Sequence, residues 1–213
     1  MTSMETTPNN APERGGITNI LVIVLVALSV ALGALWWLTQ PPQEGDPAVT
    51  FSRDMSYHHQ QAVEMALLLR DRTDDPELRL ILIDMALTQQ AQIGQMSGWL
   101  EAWGLPITGP QPPMTGQMTH GGETMTMTPE MMGIQPQSEV NKLATLPVSE
   151  AEVLFLQLMI RHHRGAILMA ESTLSQTQRS PVTRLAQSII AGQESEIALM
   201  QKLLADRGAQ ELP

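Results

Sequence analysis

No cysteine occurs anywhere in the 213 residues. That absence removes disulfides, thiolate zinc sites, iron–sulfur clusters and a bacterial lipoprotein anchor. Basic residues are sparse as well: ten arginines and two lysines lie scattered against 22 acidic residues, for a net charge of -10. No basic stripe exists to track a phosphate backbone, which argues against nucleic acid as a partner. The chain has no Gly-rich phosphate loop, no nucleophile motif and no His-Glu-x-x-His zinc signature. No glutamate stands three residues before any histidine, so the Glu-x-x-His pattern of a di-iron carboxylate bundle is missing, and ferritin-like iron oxidation with it.

What the chain does have begins with one long apolar run. Ile17 to Leu38 carries no charge over 22 residues, is interrupted only by Thr18, Asn19 and Ser29, and ends in Trp36 and Trp37. This is long enough to span a bilayer as a helix, with the tryptophans at the interface. Arg14 precedes the run while Glu44 and Asp46 follow it, so the charge bias puts the N-terminus inside and everything after the span outside the cell. The expected arrangement is a single-pass membrane anchor carrying an extracytoplasmic domain. The other reading is a signal peptide cleaved near Ala31 or Gly33, which would make the protein secreted. Residues 1–16 read as a disordered tail and 39–48 as a linker.

The most informative feature is a repeat. Met55-x-x-His58-His59-x-x-Ala62-x-x-Met65-Ala66 returns 104 residues later as Met159-x-x-His162-His163-x-x-Ala166-x-x-Met169-Ala170. Phe51, Gln89, Ile93, Met96, Leu100 and Gly104 match Phe155, Gln193, Ile197, Met200, Leu204 and Gly208 at the same offset without a gap. Each half therefore reads as a helical hairpin. In the first, a helix from about Phe51 to Arg72 stops at Thr73-Asp74-Asp75-Pro76, and a second runs to Trp103 before Gly104. In the second, Ser149 and Glu152 read as a capping box, and Ser180-Pro181 opens the last helix, which closes at Gly208. The fold class expected is all-α: a four-helix bundle over 49–208 made of two duplicated hairpins, 49–104 and 148–208, behind one transmembrane helix over 17–38. Residues 105–147 join the hairpins, with Met114, Met118, His120, Met125, Met127, Met131 and Met132 crowded into 19 positions. A connection of that length without structure of its own is usually functional or disordered.

On a helix, Met55, Ala62 and Ala66 fall within roughly 40° of one another, with His58 and His59 to either side. Imidazole and thioether are neutral, soft to borderline ligands that suit copper, Cu(I) first, in an oxidising compartment where thiols would be lost. The expected metal ligands are His58, His59, His162 and His163 with Met55, Met65, Met159 and Met169, in one site or two related sites. Adjacent histidines diverge by about 100° on a helix, so one of each pair should face the partner helix more directly. Met114, Met118, His120, Met125 and Met127 form a second, looser candidate set in the connection, exposed by their Gly/Pro context. A plain flexible linker and a target of methionine oxidation are the other two readings of that segment. Met85, Met96 and Met200 read as core. Asp54, one turn before His58, is placed to orient that imidazole. Of the polar residues midway along the second and fourth helices, Glu194 reads as solvated surface. Gln89, Gln90, Gln92, Gln193 and Glu196 read either as supports for the histidines or as more of that surface.

Met159-Ile160-Arg161-His162-His163-Arg164-Gly165-Ala166-Ile167, followed by Met169-Ala170, Gln193-Glu194-Ser195-Glu196-Ile197 and Met200, resembles the bacterial domain-of-unknown-function family 305 (DUF305). The likeness runs from about Val49 to Gly208. It implies a ferritin-like four-helix bundle, secreted or membrane-anchored, with copper-binding members associated with metal resistance. By the same resemblance, Met159, His162, His163 and Met169 carry the metal role, and by duplication Met55, His58, His59 and Met65. The first half departs from the pattern with Ser56-Tyr57 and Gln60-Gln61 around its histidines. The functional expectation is a protein that buffers or delivers copper and does no covalent chemistry, with a protein partner or a second copy as further company. Against it stand a structural or interaction bundle whose acidic surface meets a partner, and an oxidase or hydrolase using a His-bound metal with an open position.

Overall fold

The computed structural model describes residues 14–38, 40–115, 117–120, 123–126 and 128–212, and only the backbone of 14–17, 37–38, 117–120 and 123–125. The chain divides into two units, 1–41 and 42–213. The first holds α1 (Arg14–Leu38), whose stretch Thr18–Trp36 is long and apolar enough to cross a membrane and buries nothing within its unit. Such a helix fits a signal anchor or a signal peptide. Of the expected N-terminal tail, residues 1–13 lie outside the described residues, and 14–16 belong to α1, because an established helix propagates at little further cost.

In chain order the second unit contains α2 (Pro47–Arg70), α3 (Pro76–Ala102), a hairpin of β1 (Gln117–His120) and β2 (Glu123–Thr126), α4 (Gln137–Thr145), α5 (Val148–Gln176) and α6 (Ser180–Asp206). The class is all-α, a four-helix bundle in which α2 lies along α3, α5 along α6, and α2 against α5. Asp46 accepts a hydrogen bond from the Ala48 N–H and Pro47 takes the first turn, so α2 starts four residues before Phe51. Asp75 caps α3 through the Glu77 and Leu78 N–H groups, with Pro76 behind it. Gly104 and Gly208 follow α3 and α6 in left-handed conformations, at equivalent places in the two hairpins.

Two expectations need correction. The capping box at Ser149 does not form, since α5 begins at Val148 after Pro147 with no side-chain cap. Glu152 is drawn off instead into an ion network, accepting from Thr73 and from Arg207, whose guanidinium also reaches Asp75 at 2.6 Å. That network ties the α2–α3 turn to α5 and to the end of α6. Nor is the connection bare of structure. β1 and β2 pair antiparallel, Met118 opposite Met125 and His120 opposite Glu123, and α4 buries Val140 and Leu143 against the bundle. An apolar pair three apart in a nine-residue helix is too short a pattern to stand out among prolines, glycines and threonines.

The core is two apolar clusters set end to end. One gathers Met65, Leu69, Leu82 and Met85 with Phe155, Met159 and Leu203; the other gathers Phe51, Met55, Met96 and Met114 with Met132, Met169 and Ile189. The beginning of α2 thus shares a cluster with the end of α5, and its end with the beginning of α5, so these two helices run antiparallel. Each fully buried large side chain contributes about 1.5–3 kcal/mol by leaving water.

Candidate metal centre

Between the two apolar clusters every long helix of the bundle contributes polar side chains. Along α2 the clusters are separated by His58 and His59, along α3 by Gln89 and Gln92, along α5 by His162 and His163, and along α6 by Gln193 and Glu196. All four imidazoles have no solvent exposure. They form a row: the His58 and His162 rings lie 3.6 Å apart between centroids and tilted by 34°, with His59 6.2 Å from His58 and His163 6.3 Å from His162. The first histidine of each pair therefore meets its counterpart across the α2–α5 contact, and the second turns toward its own hairpin partner.

The hydrogen bonds follow the duplication. His59 Nε2 lies 2.7 Å from Gln92 Oε1, and His163 Nε2 lies 2.6 Å from Glu196 Oε2, with Gln92 and Glu196 at matching places in α3 and α6. His58 Nε2 donates to the carbonyl of Met132 at 2.9 Å. Neither ring nitrogen of His162 has a partner in good hydrogen-bond geometry, the His58 backbone giving it only a weak contact, and Nδ1 of the other three histidines is also buried without a partner. Both amide atoms of Gln89 and the Oε1 of Gln193 share that condition. Leaving a buried polar atom unpaired costs about 1–3 kcal/mol, and among the described residues such side-chain atoms concentrate in this layer, with Gln135 Oε1 of the connection beside them. Burial, with the neighbouring imidazoles adding to it, holds His58 and His162 well below the ordinary histidine value, and burial brings His59 down to about 4. Those three rings are neutral at neutral pH, the form in which imidazole binds a metal.

The Met132 carbonyl reaches His58 because the connection is strapped across the bundle there. Gly133 sits at φ +82°, and a Cβ on Gly165 would stand 1.8 Å from the Met132 oxygen, so the strap lies directly on the α5 backbone. On the α2 side the amide of Gln61 closes a two-hydrogen-bond ring with the backbone of Gln135, at 2.9 and 2.7 Å. Gln61 and Gly165 are equivalent in the repeat, so the first hairpin's departure at Gln61 is the residue that grips the strap.

The predicted thioethers are all buried but divide between the clusters: Met55 and Met169 in one, Met65 and Met159 in the other. Met114 is buried as well, contrary to the exposure expected from its context. Its thioether enters the cluster of Met55 and Met169, while its N–H donates to Asp54 Oδ1 at 3.0 Å and its backbone is held at φ +62°. Asp54 is therefore occupied by the connection rather than by His58. Met118, His120 and Met125 are described only in the β1–β2 backbone, and Met127 lies outside the described residues. Two sulfurs not counted toward the site, Met96 and Met132, join Met55, Met114 and Met169 in one cluster. A cavity of about 220 Å³ opens from the surface onto Met132 and Met169, beside Phe51 and Asp54. Among the described residues no three His, Asp or Glu side chains cluster closely enough to hold a metal by themselves.

Residues 48–204 match the model of a family described as "Domain of unknown function (DUF305)". The chain belongs to the DUF305 family. Similar solved structures include a DUF305 protein of Streptomyces coelicolor named as secreted, 45% identical, covering 79% of this chain and 98% of that one with a TM-score of 0.70. A DUF305 fragment from Deinococcus radiodurans is 35% identical over 78% of this chain and 99% of that one, with a TM-score of 0.65. CopM in its Cu(II)-bound form is 26% identical over 75% and 96%, with a TM-score of 0.59. No curated protein matches. Within this DUF305 chain, the sequence pointed to the histidine pairs through their repetition. It gave a weaker signal for Gln92 and Glu196, which were visible only as polar residues on the other helix of each hairpin. Met132 and Gly165 left no local sign of their role, because that role is made by a contact between residues 33 apart in the chain.

Proposed function

We propose that this protein binds copper in the histidine layer and buffers or delivers it outside the cytoplasm, tethered by α1. His58, His59, His162 and His163 are the imidazole donors, with Met55 and Met169 supplying sulfur from one flank and Met65 and Met159 from the other. The observation that carries the reading is His162, wholly buried and stacked on His58 with neither ring nitrogen hydrogen-bonded. A histidine kept for packing alone would find a partner or be replaced by an apolar residue. A soft ion would use those lone pairs and the thioethers without bringing anionic ligands into the core. The likeness to CopM in a Cu(II)-bound form supports the same metal. Met118, His120, Met125 and Met127 make up an outer set of soft donors in the connection, while Met114 adds a buried thioether beside Met55 and Met169.

A bundle without a metal has one observation in its favour, the lack of a three-membered His, Asp or Glu cluster among the described residues. The two readings separate on full-length protein in detergent. Copper at 100 times its dissociation constant should stabilise the fold by about 2.7 kcal/mol, and changing all four paired histidines to Ala should abolish the tight component of a Cu(I) titration. An unchanged titration in that variant, or a melting temperature indifferent to copper, would end the copper assignment.

A further inference from the structure

The two histidine pairs are repeated in sequence but held by chemically different groups. His59 faces the amide of Gln92 and His163 faces the carboxylate of Glu196, each 33 residues further along the chain. A carboxylate can only accept. The proton of this contact therefore sits on His163 Nε2, and Nδ1 is buried without a partner. An amide can turn and present either its oxygen or its NH2, so the partner of His59 permits either tautomer. The carboxylate also places a negative charge one hydrogen bond from the imidazole and strengthens it as a donor; the amide does neither. Glu196 is 24% exposed at its side chain, which keeps that charge solvated from its far side.

Resting on the copper reading above, we propose that Glu196 and Gln92 are positioning residues that make the two pairs unequal toward copper's two oxidation states. The His162–His163 pair, backed by the carboxylate, is the one that accepts Cu(II). The His58–His59 pair, backed by the neutral amide, is the one suited to Cu(I).

The test uses the isosteric exchanges Glu196→Gln and Gln92→Glu in the full-length protein, with Cu(I) and Cu(II) affinities measured separately by competition. Glu196→Gln should weaken Cu(II) by ~10–100-fold and Cu(I) by no more than about threefold, while Gln92→Glu should strengthen Cu(II) in the same sense. In the metal-free state, imidazole 15N spectra should place the His163 proton wholly on Nε2 in the natural protein and divide it between the nitrogens in Glu196→Gln. A purely structural Glu196 would instead lower the metal-free melting temperature and weaken both ions alike, and that result would overturn the inference. Copper binding by the natural protein with an unchanged Cu(II)-to-Cu(I) ratio in Glu196→Gln would overturn this inference alone; no copper binding by the natural protein would overturn the copper reading and this with it.

Discussion

The hairpin α2–α3 and the hairpin α5–α6 repeat each other at a constant offset, yet the connection between them touches the two in opposite ways. On α2 it is gripped by a long polar side chain, Gln61, that satisfies both backbone groups of Gln135. On α5 the matching residue is Gly165, and the strap lies where a side chain would be. The same asymmetry reaches the histidines: the strap's Met132 carbonyl gives His58 a partner, whereas the strap gives His162 none. A duplicated sequence has become a pair of unequal halves because one unrepeated segment can lie over their common face in only one direction. The hairpin whose first histidine receives nothing from the strap is also the one whose motif carried the resemblance to the family.

The sharpest way to break this asymmetry is Gly165→Ala. A Cβ 1.8 Å from the Met132 oxygen meets only the strap's backbone, which cannot turn aside as a side chain could, so the strap must lift, and the loss should be about 3 kcal/mol despite the better helix propensity of alanine. Gln61→Ala at the equivalent place should lose only about 1–2 kcal/mol, the worth of its hydrogen bonds. Denaturant unfolding of the two variants checks the contrast, and equal losses would mean that the strap is not seated on α5.

Acid should act on the histidine layer next. The folded-state value of His59 is about 4 against an ordinary 6.5. Its contribution is therefore fully present above pH 6.5 and is lost as pH falls from 6.5 toward 4, because only the unfolded chain takes up the proton. That loss amounts to about 3 kcal/mol from His59, with His58 and His162 adding to it in the same direction. Melting temperatures between pH 7 and 4 measure it, and a flat profile would contradict neutral, buried rings.

The smallest effect is the most diagnostic of the two halves. His162→Leu removes a buried ring with two unpaired nitrogens and should make the metal-free protein ~1–2 kcal/mol more stable. His58→Leu should do the reverse by about 1 kcal/mol, since it strands the buried Met132 carbonyl. Metal-free unfolding that ranks the pair in the other order would show that His162 has a partner in solution.

Much of this protein could be read from the chain. Four long helices, the caps at Asp75 and Pro76, and the stops at Gly104 and Gly208 are local consequences of helical periodicity and of the few residues that end a helix well. The repeat also pointed to four histidines of one kind. The Ser149 capping box failed because Glu152 had a stronger use, a partly buried ion pair with Arg207 on another helix. Met114 failed for a related reason. Its polar, Pro-rich surroundings suggest exposure, but the contact with Asp54 and the apolar cluster that buries it come from segments remote in sequence.

The sequence by itself determined the elements, their duplication and the kind of donor atom available, since helix periodicity, capping and the absence of thiols are properties of residues and their near neighbours. Only the tertiary structure decided that His58 and His162 stack, that Gln92 and Glu196 hold the outer rings, and that His162 goes without a partner. Those outcomes depend on which faces of antiparallel helices meet and on where one unrepeated strap crosses them, and no spacing within a helix encodes either.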